Sequence, residues 1–400
     1  MRRVVITGAG TVNALGSDVD ATLAAMRDGR SAIGPLDIRD VARLSVTVGA
    51  QVRDHDETAL FDRSELALYD RYTQFALRAG AEAVAQAGLQ LTEAESLRAG
   101  VVLGTSGGGL NTQDDNYRAV YEGGKNRVHP FVVPRLMNNA AAAHLSMRHG
   151  LRGPSFTVST ACASSNHAIG QAAQMIRSGG ADVMLAGGAE AMLCFGGIKA
   201  WEGLRVLARD TCRPFCATRT GMVQGEGAGV FVLEERDRAM ARGALILAEI
   251  AGFAMTSDAA DIVQPSQDGA ERAMRGALAD ARLEPDTVGY INAHGTGTAA
   301  NDRIESAAIG AVFAGAPPPI SSTKAMHGHC IGATGAIELL ACIMALRDGV
   351  LAPTANWSTR DPDCPWDYIP GEARDARVTA CLSNAFAFGG MNATLALTAP

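Results

Sequence analysis

The 400-residue sequence predicts an α/β protein, built as one layered body from two halves of like pattern. Three observations carry this reading. Short apolar runs bounded by glycine recur, amphipathic helical stretches alternate with them, and the alternation starts afresh after about residue 250. In the first half the runs are RVVITGAG (3–10), GVVLGTSGGG (100–109), FTVSTAC (156–162), DVMLAGGAE (182–190) and GVFVLEE (229–235), which read as buried strands covered on both faces. Between them 72–88 has helical periodicity, and from Ser165 to Arg177 the residues Ala168, Ile169, Ala172, Ala173 and Ile176 share one helix face. The second half repeats the rhythm with LILAEIAGFAM (245–255), TVGYINAHGTGT (287–298), PISSTKAM (319–326), VTACLSNAFAFGG (378–390) and ATLALTA (393–399), and with helices at 270–283 and 335–348. The expected division is therefore an N-terminal half, 1–250, and a C-terminal half, 251–400. GAPPPI (315–320) and NWSTRDPDCPW (356–366) read as surface loops.

Composition narrows the function classes. An apolar content of 47% suits a soluble globular chain and argues against disorder. A net charge of −7, with no basic run or aromatic-basic stripe, leaves no electrostatic footprint for nucleic acid. No apolar run reaches membrane-spanning length, and MRRVVITGAGTVNALG reads as a buried strand and turn rather than a signal peptide. The eight cysteines lack paired C-x2-C spacing and are too sparse for a disulfide scaffold, which fits free thiols in the cytoplasm. Of 35 basic residues only three are lysine, so Lys324, on a glycine-studded loop, stands out.

Four stretches have the residue types that carry chemistry. In FTVSTACASSNHAIG (156–170), Cys162 falls where a strand meets a small-residue helix; a helix N-terminus lowers a thiol's pKa, whereas a free cysteine is equally at home as core packing. NAHGTGTAANDRIE (292–305) sets His294 on a glycine loop, with Thr296 and Thr298 able to bond an extended polar ligand and with Asp302 and Glu305 anchoring the loop. SSTKAMHGHCIGATGAIE (321–338) places Lys324, His327 and His329 on one loop, with Glu338 available to pair with the lysine; the H-G-H spacing lacks the carboxylate cluster a zinc site would want. In SNAFAFGGMN (383–392), Gly389 and Gly390 let backbone N–H groups approach a reacting atom, and Phe388 is bulky enough to gate it; a tight turn with a core phenylalanine would look the same. TGAGTVNALG (7–16) offers Gly8 and Gly10 after a strand, but Asn13 occupies the third glycine position of a dinucleotide fingerprint, so a Rossmann oxidoreductase is the weaker enzyme reading.

Together, TACASS, NAHGTGT, STKAMHGH and FAFGG resemble, in order and spacing, the β-ketoacyl-[acyl-carrier-protein] synthases, and the synthase II branch in particular, over nearly the whole chain. The resemblance implies a thiolase-like duplicated fold of five layers, α-β-α-β-α, in a homodimer without a cofactor, whose substrates ride on the phosphopantetheine of acyl carrier protein. It implies that Cys162 takes the acyl chain as a covalent thioester, and that His294 and His329 stabilise the enolate formed as malonyl carrier protein loses CO2. The N–H groups of Cys162 and Phe388 would form the oxyanion hole, with Gly389 and Gly390 completing the gate. Lys324, paired with Glu338, would support the histidines, and Thr296 and Thr298 would hold pantetheine. Asn292, Glu338, Ser383 and Asn384 match a group able to hold a structural monovalent cation in relatives; no metal is required for the reaction.

The departures from the housekeeping pattern bear on substrate. Gly107 stands where a bulky aliphatic residue at the base of the acyl pocket is frequent, which predicts a roomier or differently shaped pocket. RSELALYD (63–70) lacks the basic cluster that meets the carrier protein in relatives, leaving Arg205 and Arg209 for docking. Ala387, Met391, His327 and the loop 256–269 also depart from the common form. These differences suit a specialised synthase, such as those making modified lipids, nodulation-signal acyl chains or polyketides. The alternatives are a non-decarboxylating thiolase, which would need a second catalytic cysteine near the C-terminal glycine loop, and a chain-length-factor-like partner subunit, which would not need Cys162.

Overall fold

Each half of the chain contributes five strands to a ten-stranded sheet, and three principal helices, in the same order, in a computed structural model that describes residues 2–400. The first half runs β1 (Val4–Asn13), α1 (Arg71–Ala87), β2 (Ala99–Gly104), α2 (Ala140–His149), β3 (Ser155–Val158), α3 (Ser164–Arg177), β4 (Val183–Glu190) and β5 (Gly227–Glu235). The second runs β6 (Ala248–Ser257), α4 (Gln267–Ala281), β7 (Tyr290–Asn292), α5 (Ala299–Val312), β8 (Ile320–Ser321), α6 (Thr334–Asp348), β9 (Ala380–Ala387) and β10 (Met391–Thr398). The spatial order is β3-β2-β4-β5-β1 followed by β6-β10-β9-β7-β8, so the second half repeats the first in reverse across the join. In both halves the outer three strands are parallel and the inner pairings antiparallel. Edge to edge, the halves pair through Val5 opposite Glu249 and Ile6 opposite Ala248. A boundary at residue 250 cuts β6, which already starts at Ala248; the connection lies just ahead of it.

Alternating strand residues sort the core into layers. Val101 and Leu103 of β2 pack with Phe75 of α1 and Leu145 of α2, whereas Val102 faces the opposite way, with Ile169 of α3. Ile291, Leu382 and Ala396 likewise pack against Ala273 of α4 and Ile309 of α5. Helices α3 and α6 lie between the two parts of the sheet, which gives the five layers α-β-α-β-α. Residues Thr334 to Ala345 of α6 are all buried, as expected of a helix with no solvent face. Gly8 and Gly10 owe their lack of a side chain to this packing: a Cβ there would lie 2.1 Å from the Ala83 carbonyl and 1.9 Å from that of Ala79, both on α1. The glycines of TGAG thus seat a helix on a strand.

The entry to each central helix is alike. A short 3-10 turn, Ala161–Ala163 before α3 and Ile331–Ala333 before α6, begins with a non-glycine residue in left-handed backbone, Ala161 at φ 47° and Ile331 at φ 45°. Such a conformation costs about 1–3 kcal/mol and is kept only where the surroundings enforce it. PISSTKAM, expected as a strand over 319–326, forms two strand residues, and Lys324–His327 makes a single helical turn. Pairing ends there because the chain turns inward to deliver the Lys324 side chain to the centre, where it is fully buried.

Candidate active site

Three loops at the same end of the strands bring Cys162, His294 and His329 together: Sγ and one ring nitrogen from each histidine all lie within 4.8 Å of one another. Cys162 is the middle residue of the strained turn ahead of α3. His294 follows β7, and its loop is tied down by Glu305 of α5, which accepts the N–H groups of His294 and Gly295, each at 2.7 Å. Asp302 accepts the N–H of Gly297 at 3.2 Å and that of Phe215 at 2.8 Å, so both acids anchor the loop as expected. His329 donates its backbone N–H to the Val223 carbonyl at 2.7 Å and accepts that of Gly225 at 2.9 Å. Its Nδ1 accepts the Ile331 N–H at 3.0 Å and lies 2.9 Å from the Thr334 hydroxyl. A nitrogen that accepts a backbone N–H carries no proton of its own, so the proton sits on Nε2, which has no partner among the described residues. His327 turns away, with Nε2 3.0 Å from the Thr323 hydroxyl, so the two histidines of H-G-H do not converge on one ligand.

Lys324 is the buried charge of the site. Its ammonium donates to Glu338 Oε1 at 2.6 Å and to the His294 carbonyl, and both side chains of the ion pair are fully buried. Burial, and then the Lys324 charge, hold His294 and His329 well below the ordinary histidine range, so both are neutral at neutral pH. Burial pushes Glu338 up to about 7 against the pull of Lys324. Burial also pushes the Cys162 thiol up to about 12, with Lys324 opposing, which corrects the expectation that the helix N-terminus would lower it. At 6% exposed, packed with Met222 and Ile331, the thiol loses more by desolvation than the nearby charge returns.

These shifts predict a stability profile. Glu338, Glu190 and Glu305, all pushed up to about 7 by burial, hold protons in the folded state that unfolded carboxylates release, so stability falls as pH rises from about 4.5 through 7. His294, His329 and His327 (about 3), with His55, His144, His149 and His167 also lowered by burial, stay neutral where unfolded histidines take up protons, so stability falls as pH drops below about 6.5. The histidine limb sets the test: Tm should fall as pH drops from about 5 to about 4, and thermal melts in which Tm holds or rises over that interval would contradict it.

A cavity opens from Cys162, His294 and His329 to the surface, and Phe388, Thr296 and Thr298 line it too. The Phe388 ring stacks on Trp201 at a centroid distance of 5.8 Å, a neighbour the sequence did not suggest. Gly389 (φ 83°) and Gly390 (φ 67°) make the turn possible, but their N–H groups are already used, by the Ile262 carbonyl at 2.8 Å and the Ala387 carbonyl at 3.0 Å. The glycines therefore shape the loop, and the N–H of Phe388 is the one left for an oxyanion. Arg205 and Arg209 are exposed beside the cavity-lining Val206, and neither makes an ion pair among the described residues. Cys162 is the one cysteine lining the cavity among the described residues, while Cys381 is buried in β9.

Gly107 does not open a void. A Cβ there would lie 3.2 Å from Met192 Cε and 3.4 Å from Sδ, so the thioether of Met192 occupies the expected space, and Met192 packs in turn with Cys162, Met222 and Ile331. Sequence reasoning also missed Glu190, the fully buried last residue of β4. Its carboxylate accepts the N–H of Ser106 at 2.7 Å, Gly107 at 3.0 Å and Gly332 at 3.0 Å and the Thr105 hydroxyl at 3.0 Å, joining the loop after β2 to the turn before α6. A lone acid ending an apolar run was the available signal. Of the group matched to a cation site, Asn292 Oδ1, Ser383 Oγ and Glu338 Oε2 are buried oxygens without a hydrogen-bond partner among the described residues, which suits a cation; Asn384 Oδ1 instead accepts the Thr394 hydroxyl at 3.0 Å and does not fit.

The family models Beta-ketoacyl synthase, N-terminal domain, and Beta-ketoacyl synthase, C-terminal domain, match residues 1–239 and 247–358. Nodulation protein E of Rhizobium sp. (strain N33) is 50% identical over 400 residues, covering 99% of this chain and 98% of its own. The 3-oxoacyl-[acyl-carrier-protein] synthase 2 of Synechocystis sp. (strain ATCC 27184 / PCC 6803 / Kazusa) is 39% identical over 405 residues, covering 99% and 97%. Among solved structures, a type II polyketide ketosynthase in complex with its acyl-carrier protein superposes with a TM-score of 0.90 at 32% identity, covering 100% of this chain and 99% of that one.

Proposed function

Because the chain belongs to the β-ketoacyl synthase family, we propose that it lengthens an acyl chain held on Cys162 by decarboxylative condensation with a malonyl unit, both delivered on acyl carrier protein. The convergence of Cys162, His294 and His329 within 4.8 Å, on one cavity, carries this reading. In the first half-reaction the Cys162 sulfur attacks the acyl thioester, the pantetheine sulfur leaves, and the thiol proton goes with it. The thiol rests protonated, so proton loss accompanies attack, with the neutral His294 ring beside it to relay the proton. In the second, the bond from the malonyl α-carbon to its carboxylate breaks, CO2 leaves, and the electron pair forms an enolate whose oxygen accepts the Nε2–H of His329, with His294 as the second donor. The enolate carbon then attacks the acyl-Cys162 carbonyl, and the Cys162–acyl bond breaks with its electron pair going to the sulfur, which takes up a proton from solvent as the 3-oxoacyl carrier protein is freed. The N–H groups of Cys162 and Phe388 hold the oxyanion of each tetrahedral state, Lys324 and Glu338 keep the histidines in place and neutral, and Thr296 and Thr298 hold the arm. Asn292, Ser383 and Glu338 would hold a monovalent cation, which would offset negative charge behind the site.

Higher identity to nodulation protein E than to synthase 2, together with Gly107, Ala387 and Met391, supports a specialised synthase. We place the divide between duplicated halves just before β6, and infer a homodimer from the edge strand β3, whose Phe156 is 40% exposed. Eight free cysteines, and no helix among the described residues long and apolar enough to cross a membrane, support a cytoplasmic enzyme.

Intact-protein mass spectrometry with acyl carrier proteins of differing chain length, followed by malonyl carrier protein, tests the reaction: an acyl adduct that discharges with CO2 release is expected, and an adduct that survives malonyl carrier protein would count against it. Gly107→Ile should drive Met192 toward Cys162 and lower kcat/KM for the longest accepted primer about tenfold; an unchanged chain-length profile would remove Met192 and Gly107 from the pocket. The pair Arg205→Glu and Arg209→Glu should raise KM for carrier-borne substrates about tenfold and leave free pantetheine thioesters unaffected. Equal losses on both substrates would show that these arginines do not dock the carrier.

A further inference from the structure

We propose that Asn301 reads an amide N–H of the pantetheine arm, so that the site selects for a hydrogen-bond donor at one fixed position of the substrate's carrier portion; this rests on the carrier-borne reaction proposed above. Asn301 lies in the first turn of α5 and lines the cavity with Thr296 and Thr298. Its Nδ2 is 3.2 Å from Asp302 Oδ1 and 3.4 Å from Glu305 Oε2. Both carboxylates are buried and already accept backbone donors, Asp302 from Phe215 and Gly297, Glu305 from His294 and Gly295. With an acid oxygen on each side acting as acceptor, the two hydrogens of the Asn301 amide are directed at Asp302 and Glu305 rather than into the cavity. Its Oδ1 is thereby left as a fixed acceptor on the cavity wall, held by the same two acids that hold the His294 loop.

The neighbouring threonines supply the opposite polarity. The Thr298 N–H donates to Thr296 Oγ1 at 3.3 Å, and the two hydroxyls are 2.8 Å apart. One hydroxyl proton is used between them, which leaves the other free to donate into the cavity. The wall thus offers one donor and one acceptor, the complements of the C=O and N–H of a secondary amide, and a pantetheine arm carries two such amides. A site built to bond an N–H discriminates against an analogue that lacks it, because the acceptor is left unpaired.

The test uses acyl-pantetheine thioesters in which either amide N–H is replaced by an ester oxygen, which keeps the carbonyl and removes only the donor. For the wild-type enzyme, kcat/KM for acylation of Cys162 should fall about tenfold for one of the two esters. In Asn301→Ala and Asn301→Leu the amide substrate should lose about the same factor while that ester loses little, bringing their ratio near one. Loss of anchoring alone would slow amide and ester substrates equally and leave the ratio at its wild-type value, which would overturn the proposal. A wild-type enzyme that accepts both esters as readily as the amide would overturn it without any variant, so a misfolded variant does not decide the question. Failure of every thioester to acylate the wild-type Cys162 is a different outcome, and would count against the condensing function itself.

Discussion

Cys162→Ala should form no acyl adduct with any carrier protein and should lose condensation by about 10^4-fold or more, as expected when a covalent nucleophile is removed. The fold should survive. The thiol is 6% exposed, donates no hydrogen bond that holds the turn together, and gives way to a methyl group in a turn whose strained residue is Ala161, which is unchanged. A stability cost of about 1 kcal/mol, the size of a small cavity, is the expected price. Intact-mass spectra after acyl transfer, CO2 release and a thermal melt on one preparation separate these effects. Undiminished condensation by this variant would remove Cys162 from the chemistry.

Lys324→Met should damage stability and rate together. It leaves Glu338 without its partner at full burial and removes the donor to the His294 carbonyl, a loss of about 3–5 kcal/mol for breaking a buried pair. After burial, the same charge is the next cause that holds His294 and His329 below their ordinary range, and it moderates the rise of the Cys162 thiol. Without it the histidines take up protons more readily, so the acid limb of the condensation rate should move to higher pH. The double variant Lys324→Met with Glu338→Gln removes the unpaired charge and should recover most of the stability but not the rate. Recovery of both would reduce the pair to scaffolding; recovery of neither would show that its packing, not its charge, is what the site needs.

The chemistry-bearing residues were legible because each depends on local pattern. Cys162 lies at a strand-to-helix junction, His294 on a glycine loop after a strand, and Lys324 is a rare lysine in an arginine-rich chain. The two halves were legible for the same reason, since apolar periodicity is written residue by residue. What escaped depends on contacts between distant residues. Glu190 meets Gly332 across 142 positions, Met192 fills the space over Gly107, and the Gly389 N–H is taken by Ile262. The sign of the Cys162 shift escaped too: dipole and burial pull oppositely, and only packing decides how much water the sulfur retains. PISSTKAM misled because its composition suits a strand, while its role is to turn a lysine into the core.

The matched turns at Ala161–Ala163 and Ile331–Ala333 give the molecule two equivalent corners, only one of which carries a reactive group. The residue in the place of Cys162 at the second corner is Gly332, and a Cβ there would come within 2.6 Å of both Glu190 Oε2 and the Ser106 N–H. Symmetry of the frame therefore does not extend to its use: one corner presents a sulfur to the cavity, and the other has given up its side chain so that a carboxylate can clasp its backbone. Grafting a second nucleophile onto the empty corner would not double the activity. It would evict Glu190 and loosen the loop beside Gly107, so the blank corner is what keeps the working one in register.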